Sequence, residues 1–502
     1  MRTVDASGNT KSAVKTGVPG LDEVLPGGLP ANRLYLVEGM PGTGKTTLAL
    51  QFLLEGRRSG ERGLYVTLSE TKEELLQVAE SHGWSLDGID LYELGASQAR
   101  LEPEQDYTIF HPEEVELTET AKQVYAEVER IKPMRVVFDS LSEMRLLSRE
   151  PLRYRRQILS LKQFFAGRSC TVLLLDDTVG RNSDLQLQSI SHGVLSLERL
   201  GQEYGISRRR LNVVKLRGAK FRDGYHDYLI DTGGIRVFPR LVAAESRRDR
   251  VGSVFSSGIP ELDRLLGGGL NTGTSTLITG PAGSGKSCLA GAYLRAAAQQ
   301  GHYATAYIFE ETRQTFLDRM AGINMDVAEY IDRGLAAVHQ VDPAELSPGE
   351  MASRLRTEVE EKNAKLVIVD SLNGYVNALP NERFLLAHLH ETLSYLAECD
   401  VVTILVAAQK GTIGPMGTDS DASYLADTLI LLRFFESHGA LKKAVSAVKH
   451  RKSSHENTIR EMQITPQGVR IGQVLDEFRG VLSGNPEYLG KPDDLLSEEN
   501  RR

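Results

Sequence analysis

The chain has 502 residues, 41% of them hydrophobic and 25% charged, with a formal net charge of −8. This is the make-up of an ordinary globular protein, and at that length two domains can each bury a full core. The acidic balance and the lack of a basic arm argue against a dedicated nucleic-acid binder, and no run of about 18 apolar residues is present to span a membrane.

In chain order, residues 1–16 are polar, without the apolar stretch of a signal peptide. A short apolar strand at residues 34–38 leads into Gly39-Met40-Pro41-Gly42-Thr43-Gly44-Lys45-Thr46, and a helical pattern begins at Thr47. This is the phosphate-loop pattern. Its glycines let backbone N–H groups converge on phosphate oxygens, Lys45 reaches the β- and γ-phosphates, and the Thr46 hydroxyl ligates Mg²⁺. The positive end of the helix adds to the attraction. A second apolar strand at 63–68 ends in Ser69-Glu70-Thr71, and a third at 135–138 ends in Asp139-Ser140. Asp139 is placed to orient the metal, and Glu70 to orient the attacking oxygen. Lys215-Leu216-Arg217-Gly218 closes a later strand. Its cations suit a γ-phosphate held by a neighbouring subunit.

The chain then repeats itself. After the charged stretch 245–250, Gly280-Pro281-Ala282-Gly283-Ser284-Gly285-Lys286-Ser287 restates the phosphate loop, with Lys286 lying 241 residues after Lys45. Gly17-Val18-Pro19-Gly20-Leu21-Asp22 recurs at the same offset as Gly258-Ile259-Pro260-Glu261-Leu262-Asp263, so a whole domain is duplicated. Glu310-Glu311-Thr312 follows the strand at 306–309, Asp370-Ser371 follows the strand at 366–369, and Lys449-His450-Arg451-Lys452 matches the earlier basic segment. Alternating short strands and helices predict an α/β fold, two tandem P-loop domains over 1–244 and 245–490, and a short tail over 491–502. The three cysteines, Cys170, Cys288 and Cys399, form no paired motif. They read as reduced thiols in a cytoplasmic protein, without a disulfide framework or zinc site.

Together these pieces resemble the KaiC family, the two-domain RecA-like ATPases and autokinases of the cyanobacterial clock. The resemblance runs from about Thr16 to Gly490. It rests on the paired loops, Phe309-Glu310-Glu311-Thr312, Lys215-Leu216-Arg217-Gly218 and Thr418-Asp419-Ser420-Asp421-Ala422-Ser423-Tyr424-Leu425-Ala426-Asp427-Thr428. It implies a homo-hexameric double ring with Mg²⁺ and ATP between subunits, slow hydrolysis in the first ring and autophosphorylation in the second. It places Gly42, Thr43, Gly44, Lys45, Thr46 and Thr47, with Gly283, Ser284, Gly285, Lys286, Ser287 and Cys288, on the phosphates. Thr46, Ser287 and Glu310 fall on metal positions, and Glu310 and Glu311 on the paired catalytic acids. Ser81, Lys215, Leu216 and Arg217 fall on nucleotide contacts of the first ring. Lys449, His450, Arg451, Ser453 and His455 fall on those of the second, and Ser423 on the phosphoserine.

The sequence departs from the family pattern in places. Ser69 replaces the first acid of the pair, leaving Glu70 alone, and a hydroxyl cannot act as a base near neutral pH. Tyr424 stands where the family has its phosphothreonine, which leaves Ser423 as the acceptor. Phe221 stands where the first ring has a histidine. The segment after Gly490 is shorter than the family's tail, which argues against a KaiA-type partner; a KaiB-like or other signalling protein remains an expected partner. Two other readings compete: a RecA-like motor on nucleic acid, with residues 409–417 as its loop, and a scaffold that uses nucleotide only to assemble.

Overall fold

The computed structural model describes residues 13–94, 112–148, 151–178, 185–201, 205–246, 252–377, 385–409, 423–437, 439–482 and 487–489. The chain divides into two compact units between Arg240 and Leu241. The stretch 247–251 and the tail from residue 490 lie outside the described residues.

The first unit is built on one nine-stranded sheet. From one edge its strands are Ile89–Glu93, Gly63–Thr67, Arg135–Asp139, Thr171–Asp177, Leu34–Gly39, Gly193–Leu200, Arg208–Leu216, Tyr225–Asp231 and Gly234–Phe238. The first six run parallel, and the last three are added antiparallel. The central strands Leu34–Gly39, Gly63–Thr67 and Arg135–Asp139 are buried at every position. Helices cover both faces, so a near-continuous apolar run is the expected sequence for such strands. Side chains still alternate between faces. Tyr35, Val37, Tyr65 and Val137 pack beneath the helix Lys45–Arg58. Leu36, Leu64, Val66 and Val136 pack on the opposite layer with Tyr154, Ile158 and Leu161.

The second unit repeats the plan strand for strand: Ala336–Gln340, Ala304–Ile308, Leu366–Asp370, Val402–Ala408, Ser275–Gly280, Thr428–Ser437, Ala440–His450, Ile459–Thr465 and Gly468–Val474. Its core again has two layers. One lies beneath the helix Lys286–Gln299, and the other holds Tyr307, Val367, Val369 and Leu405.

Strand polarity fixes where chemistry can occur. Each phosphate loop leaves the carboxyl end of a parallel strand, Leu34–Gly39 or Ser275–Gly280, beside the carboxyl ends of its neighbours. That end of such a sheet is where ligands bind. The strand beyond the last parallel one, Arg208–Leu216 or Ala440–His450, runs the other way, pairing Leu216 with Gly193 and His450 with Thr428. The basic segments therefore emerge at the amino end of the parallel strands. They stand about 13 Å along the sheet from the loop of their own unit, at about 3.3 Å per residue.

Candidate nucleotide sites

Each phosphate loop is shaped for close approach by an anion. Gly44 and Gly285 are the helix N-caps and lie in the left-handed region, at φ 96° and 103°. This backbone conformation strains any residue with a Cβ, which would also press on Ile230 Cδ1 at 2.6 Å or Ile464 Cδ1 at 2.7 Å, so glycine is favoured. Gly42 and Gly283 form the exposed crests. Thr47 and Cys288, in the first turn of each helix, are buried. Burial pushes the Cys288 thiol up, so it is a packed, protonated group.

In the first site Lys45 Nζ donates to the carbonyls of Gly39 and Met40 at 2.9 and 3.1 Å and pairs with Asp177 Oδ1 at 2.7 Å. Thr46 Oγ1 donates to Asp139 Oδ2 at 3.1 Å, and the Tyr65 hydroxyl donates to the same oxygen at 2.5 Å. Burial raises the Asp139 carboxyl against these two hydrogen bonds. Glu70 lies alongside. Its Oε2 is buried and has no hydrogen-bond partner among the described residues. Burial pushes its carboxyl up to about 7, with the charges of Asp139, Glu74 and Asp177 adding to the effect. Ser69 is exposed.

The second site is arranged differently. Lys286 Nζ donates to the carbonyl of Pro281 at 2.8 Å, and burial lowers its affinity for a proton despite Asp370 and Glu310 nearby. Asp370 is likewise raised by burial, with a hydrogen bond from Ser287 opposing, and its Oδ2 is buried without a partner. Ser371 Oγ donates to Glu310 Oε1. Glu311 is held by Arg319, whose Nη1 and Nη2 donate to its two oxygens at 2.6 and 2.7 Å. This clamp was not read from the sequence. Arg319 lies eight residues on, in the last turn of the helix Arg313–Gly322, and long helical side chains reach back toward the N-terminus.

Thr46 with Asp139, and Ser287 with Asp370 and Glu310, would hold Mg²⁺, which usually takes one or two carboxylates and completes its shell with water and phosphate oxygens. The unpartnered buried oxygen of Asp370 fits that use. When bound, the ion neutralises charge on the phosphates.

The basic segments lie apart from these groups. Lys215 Nζ and Arg217 Nη2 donate to the carbonyls of Gln188 and Ser189, and Lys162 Nζ to that of Ile190. Burial lowers the Lys215 ammonium, and the neighbouring Arg217 and Lys162 charges add to this. In the second unit Lys449 Nζ donates to the carbonyls of Ser423 and Ala426 at 3.1 and 2.7 Å, and Arg451 Nη2 to that of Tyr424 at 3.3 Å. Leu216 and His450 are buried, and Ser453 Oγ lies 3.2 Å from His450 Nδ1. His455 stacks on His450. Ser81 Oγ is spent on the carbonyl of Val78, at 2.7 Å. Ser423 opens a short 3₁₀ turn, Ser423–Leu425, just before the strand Thr428–Ser437. It therefore sits with the basic segment, at the end of the sheet away from the loop of its own unit. Residues 418–422 and 410–417 lie outside the described residues.

A strand–phosphate loop–helix unit with an acid on a neighbouring strand end defines a P-loop NTPase domain, and here there are two in tandem. A family model of the KaiC ATPase matches residues 14–242 and 255–476. The chain belongs to the KaiC ATPase family. It is similar to the circadian clock oscillator protein KaiC of Thermostichus vulcanus, 27% identical over 480 residues that cover 94% of this chain and 91% of that protein. The KaiC of Synechococcus elongatus is 26% identical over the same shares. That of Prochlorococcus marinus is 26% identical over 501 residues, 97% of this chain and 99% of its own. Among the described residues no helix is long and apolar enough to cross a membrane.

Proposed function

We propose that the chain is a KaiC-like switch: a homo-hexameric, ATP-dependent ring protein that hydrolyses ATP in its first unit and phosphorylates Ser423 of a neighbouring subunit from its second. The observation that carries this reading is the opposition along each sheet. The phosphate loop and its acids stand at one end, while Lys215 and Arg217, or Lys449, Arg451 and Ser423, stand at the other. A nucleotide on its own loop is out of reach of these cations and of this serine. A second copy, docked with its basic end against the first copy's loop, supplies both. Glu70 serves as base for water in the first unit. In the second, Glu310 helps hold the metal and Glu311 takes the proton of the attacking hydroxyl. The cations supplied by the neighbour offset the charge on the transferring phosphoryl group.

Mixing two variants tests the reading. Lys286→Ala keeps the acceptor serine but loses the second loop's lysine; Ser423→Ala keeps the loop but loses the acceptor. After incubation of the mixture with Mg·ATP, intact mass spectrometry is expected to find added phosphate on the Lys286→Ala chain, and native spectra to find six-chain assemblies. Wild-type chains that take up no phosphate would remove the kinase from the reading. Labelled wild type with an unlabelled mixture would place the transfer within one chain.

A further inference from the structure

A cavity of about 120 Å³ opens in the first unit at the amino end of the parallel strands, away from the phosphate loop. Its floor is apolar, with Leu34, Phe165, Cys170 and Ile190 buried there. Burial pushes the Cys170 thiol up to about 12, so it lines the floor as a neutral group. Arg33, Lys162 and Arg217 also line the cavity, and all three are exposed, which puts them at its mouth. Each gives one printed donor to a backbone carbonyl, of Asn32, Ile190 and Ser189 in turn, and none pairs with a carboxylate among the described residues. An ammonium has three donors and a guanidinium five, so most of theirs remain for a ligand. The second unit departs from this arrangement. Val172 donates to the Arg33 carbonyl as Thr403 does to that of Thr274, and Arg217 donates to the His192 carbonyl as Arg451 does to that of Asp427. Lys162 lies as far before Val172 as Leu393 lies before Thr403, and Leu393 is buried. Asp427 pairs with Arg451 at 3.5 Å. Gly273 comes so near the Ala397 carbonyl that a Cβ would lie 2.9 Å from it, whereas the matching Asn32 and Ala166 both stand on the cavity wall. The second unit thus pairs its cation and closes the gap, while the first keeps three cations around an apolar hollow.

We propose that this cavity is a binding site for a small organic anion, a carboxylate carried on an apolar body, and that it belongs to the first unit and not the second. The hollow is close in size to the roughly 150 Å³ that takes a benzene ring. The floor would bind a ring or branched chain by removing apolar surface from water. The carboxylate would lie at the mouth and accept charge-assisted N–H bonds from Lys162 and Arg33, the guanidinium being able to offer two in parallel. An inorganic anion would meet the same cations but leave the floor uncovered. A neutral molecule of the same shape would cover the floor but leave the cations unused.

The test titrates benzoate and isovalerate into the nucleotide-free full chain and follows binding by calorimetry. At least one of them is expected to saturate a single site per chain. The matching neutral amide should bind about ten-fold or more weakly, and inorganic phosphate should displace the carboxylate only at about a ten-fold or greater excess. Lys162→Leu and Arg33→Thr install the residues that the second unit carries at these places. Each should weaken the carboxylate several-fold, and the two together by about ten-fold or more. Arg217 is left in place because the reading above also offers it to a neighbour's phosphate. Thermal melting establishes that each variant is folded, and Arg33→Thr, at an exposed position, gives the readout if Lys162→Leu is not. If neither carboxylate saturates, the proposal is overturned. It is also overturned if the amide binds as tightly as the acid, if phosphate competes on equal terms, or if the folded variants bind as the parent does, since the anion would then sit elsewhere.

Discussion

Glu70 stands in an environment that its residue type does not suggest. Half-burial beside Asp139 and Asp177 pushes its carboxyl up to about 7 from the ordinary carboxylate range. A base works only when deprotonated, so first-site turnover should rise with pH through that value. The acid limb of kcat/KM reports the free enzyme, and in a Lys286→Ala background it is expected near pH 7. Glu70→Gln should cost about 10²–10⁴ in rate and abolish the limb. The same shift acts on stability with a definite sign. The folded value lies above the unfolded one, so folding favours the neutral acid and ionisation opposes it. The penalty is absent well below pH 4.5 and complete above about 7. Glu70→Gln should therefore melt above wild type at pH 8, and the difference should shrink as pH falls through 7 and close below pH 4.5. A limb that stays near pH 4.5 would show that the carboxyl is solvated in the working enzyme.

The elements explain which parts of the site were legible beforehand. The phosphate loops, Asp139 and Asp370 are local signals. A glycine-rich turn between strand and helix, or an acid after an apolar strand, carries its meaning within about ten residues. Asp177 carries none, because its role depends on sheet order. The strand Thr171–Asp177 lies beside Leu34–Gly39, with Asp177 opposite Gly39, and this brings its carboxylate to Lys45 from 132 residues away. The basic segments were legible as cations but not as cations at the far end of the sheet, since that follows from the antiparallel turn at residue 208. In the second unit Ala408 stands opposite Gly280, so that strand brings Lys286 no such acid among the described residues. A nucleotide bound at the first loop would draw Lys45 from Asp177; at the second, no such pair stands among the described residues. Asp177→Ala should accordingly tighten nucleotide binding at the first site by a few-fold, the roughly 0.2–1 kcal/mol that a partly exposed pair is worth. Titration of a fluorescent ATP analogue in a Lys286→Ala background reads this out. Unchanged or weaker binding would mean that Asp177 helps to hold the nucleotide.

At the scale of the whole molecule, one strand order is used twice, and each unit carries its own two-layered core. Duplication preserved what builds the sheet: loop glycines, alternating strand faces and strand-end acids. It let the groups at the carboxyl ends of the strands diverge, with Ser69, Glu70 and Asp177 in one unit and Glu310, Glu311 and Arg319 in the other. A unit with its own core and its own ligand should respond to that ligand in its own melting. Ligand that binds only the folded state adds RT ln(1 + [L]/Kd), about 2.7 kcal/mol at a hundred times Kd. For units of this size each kcal/mol raises Tm by roughly 2–4 °C. Calorimetry with a non-hydrolysable ATP analogue is therefore expected to show two transitions, each raised by several degrees. Lys45→Ala should leave one transition at its nucleotide-free position while the other still moves, and Lys286→Ala should do the reverse. If either substitution removed the shift from both transitions, the units would not bind and melt as separate bodies. The different settings of Glu70 and Glu311 would then have to be read as one coupled site rather than as two tasks divided between copies.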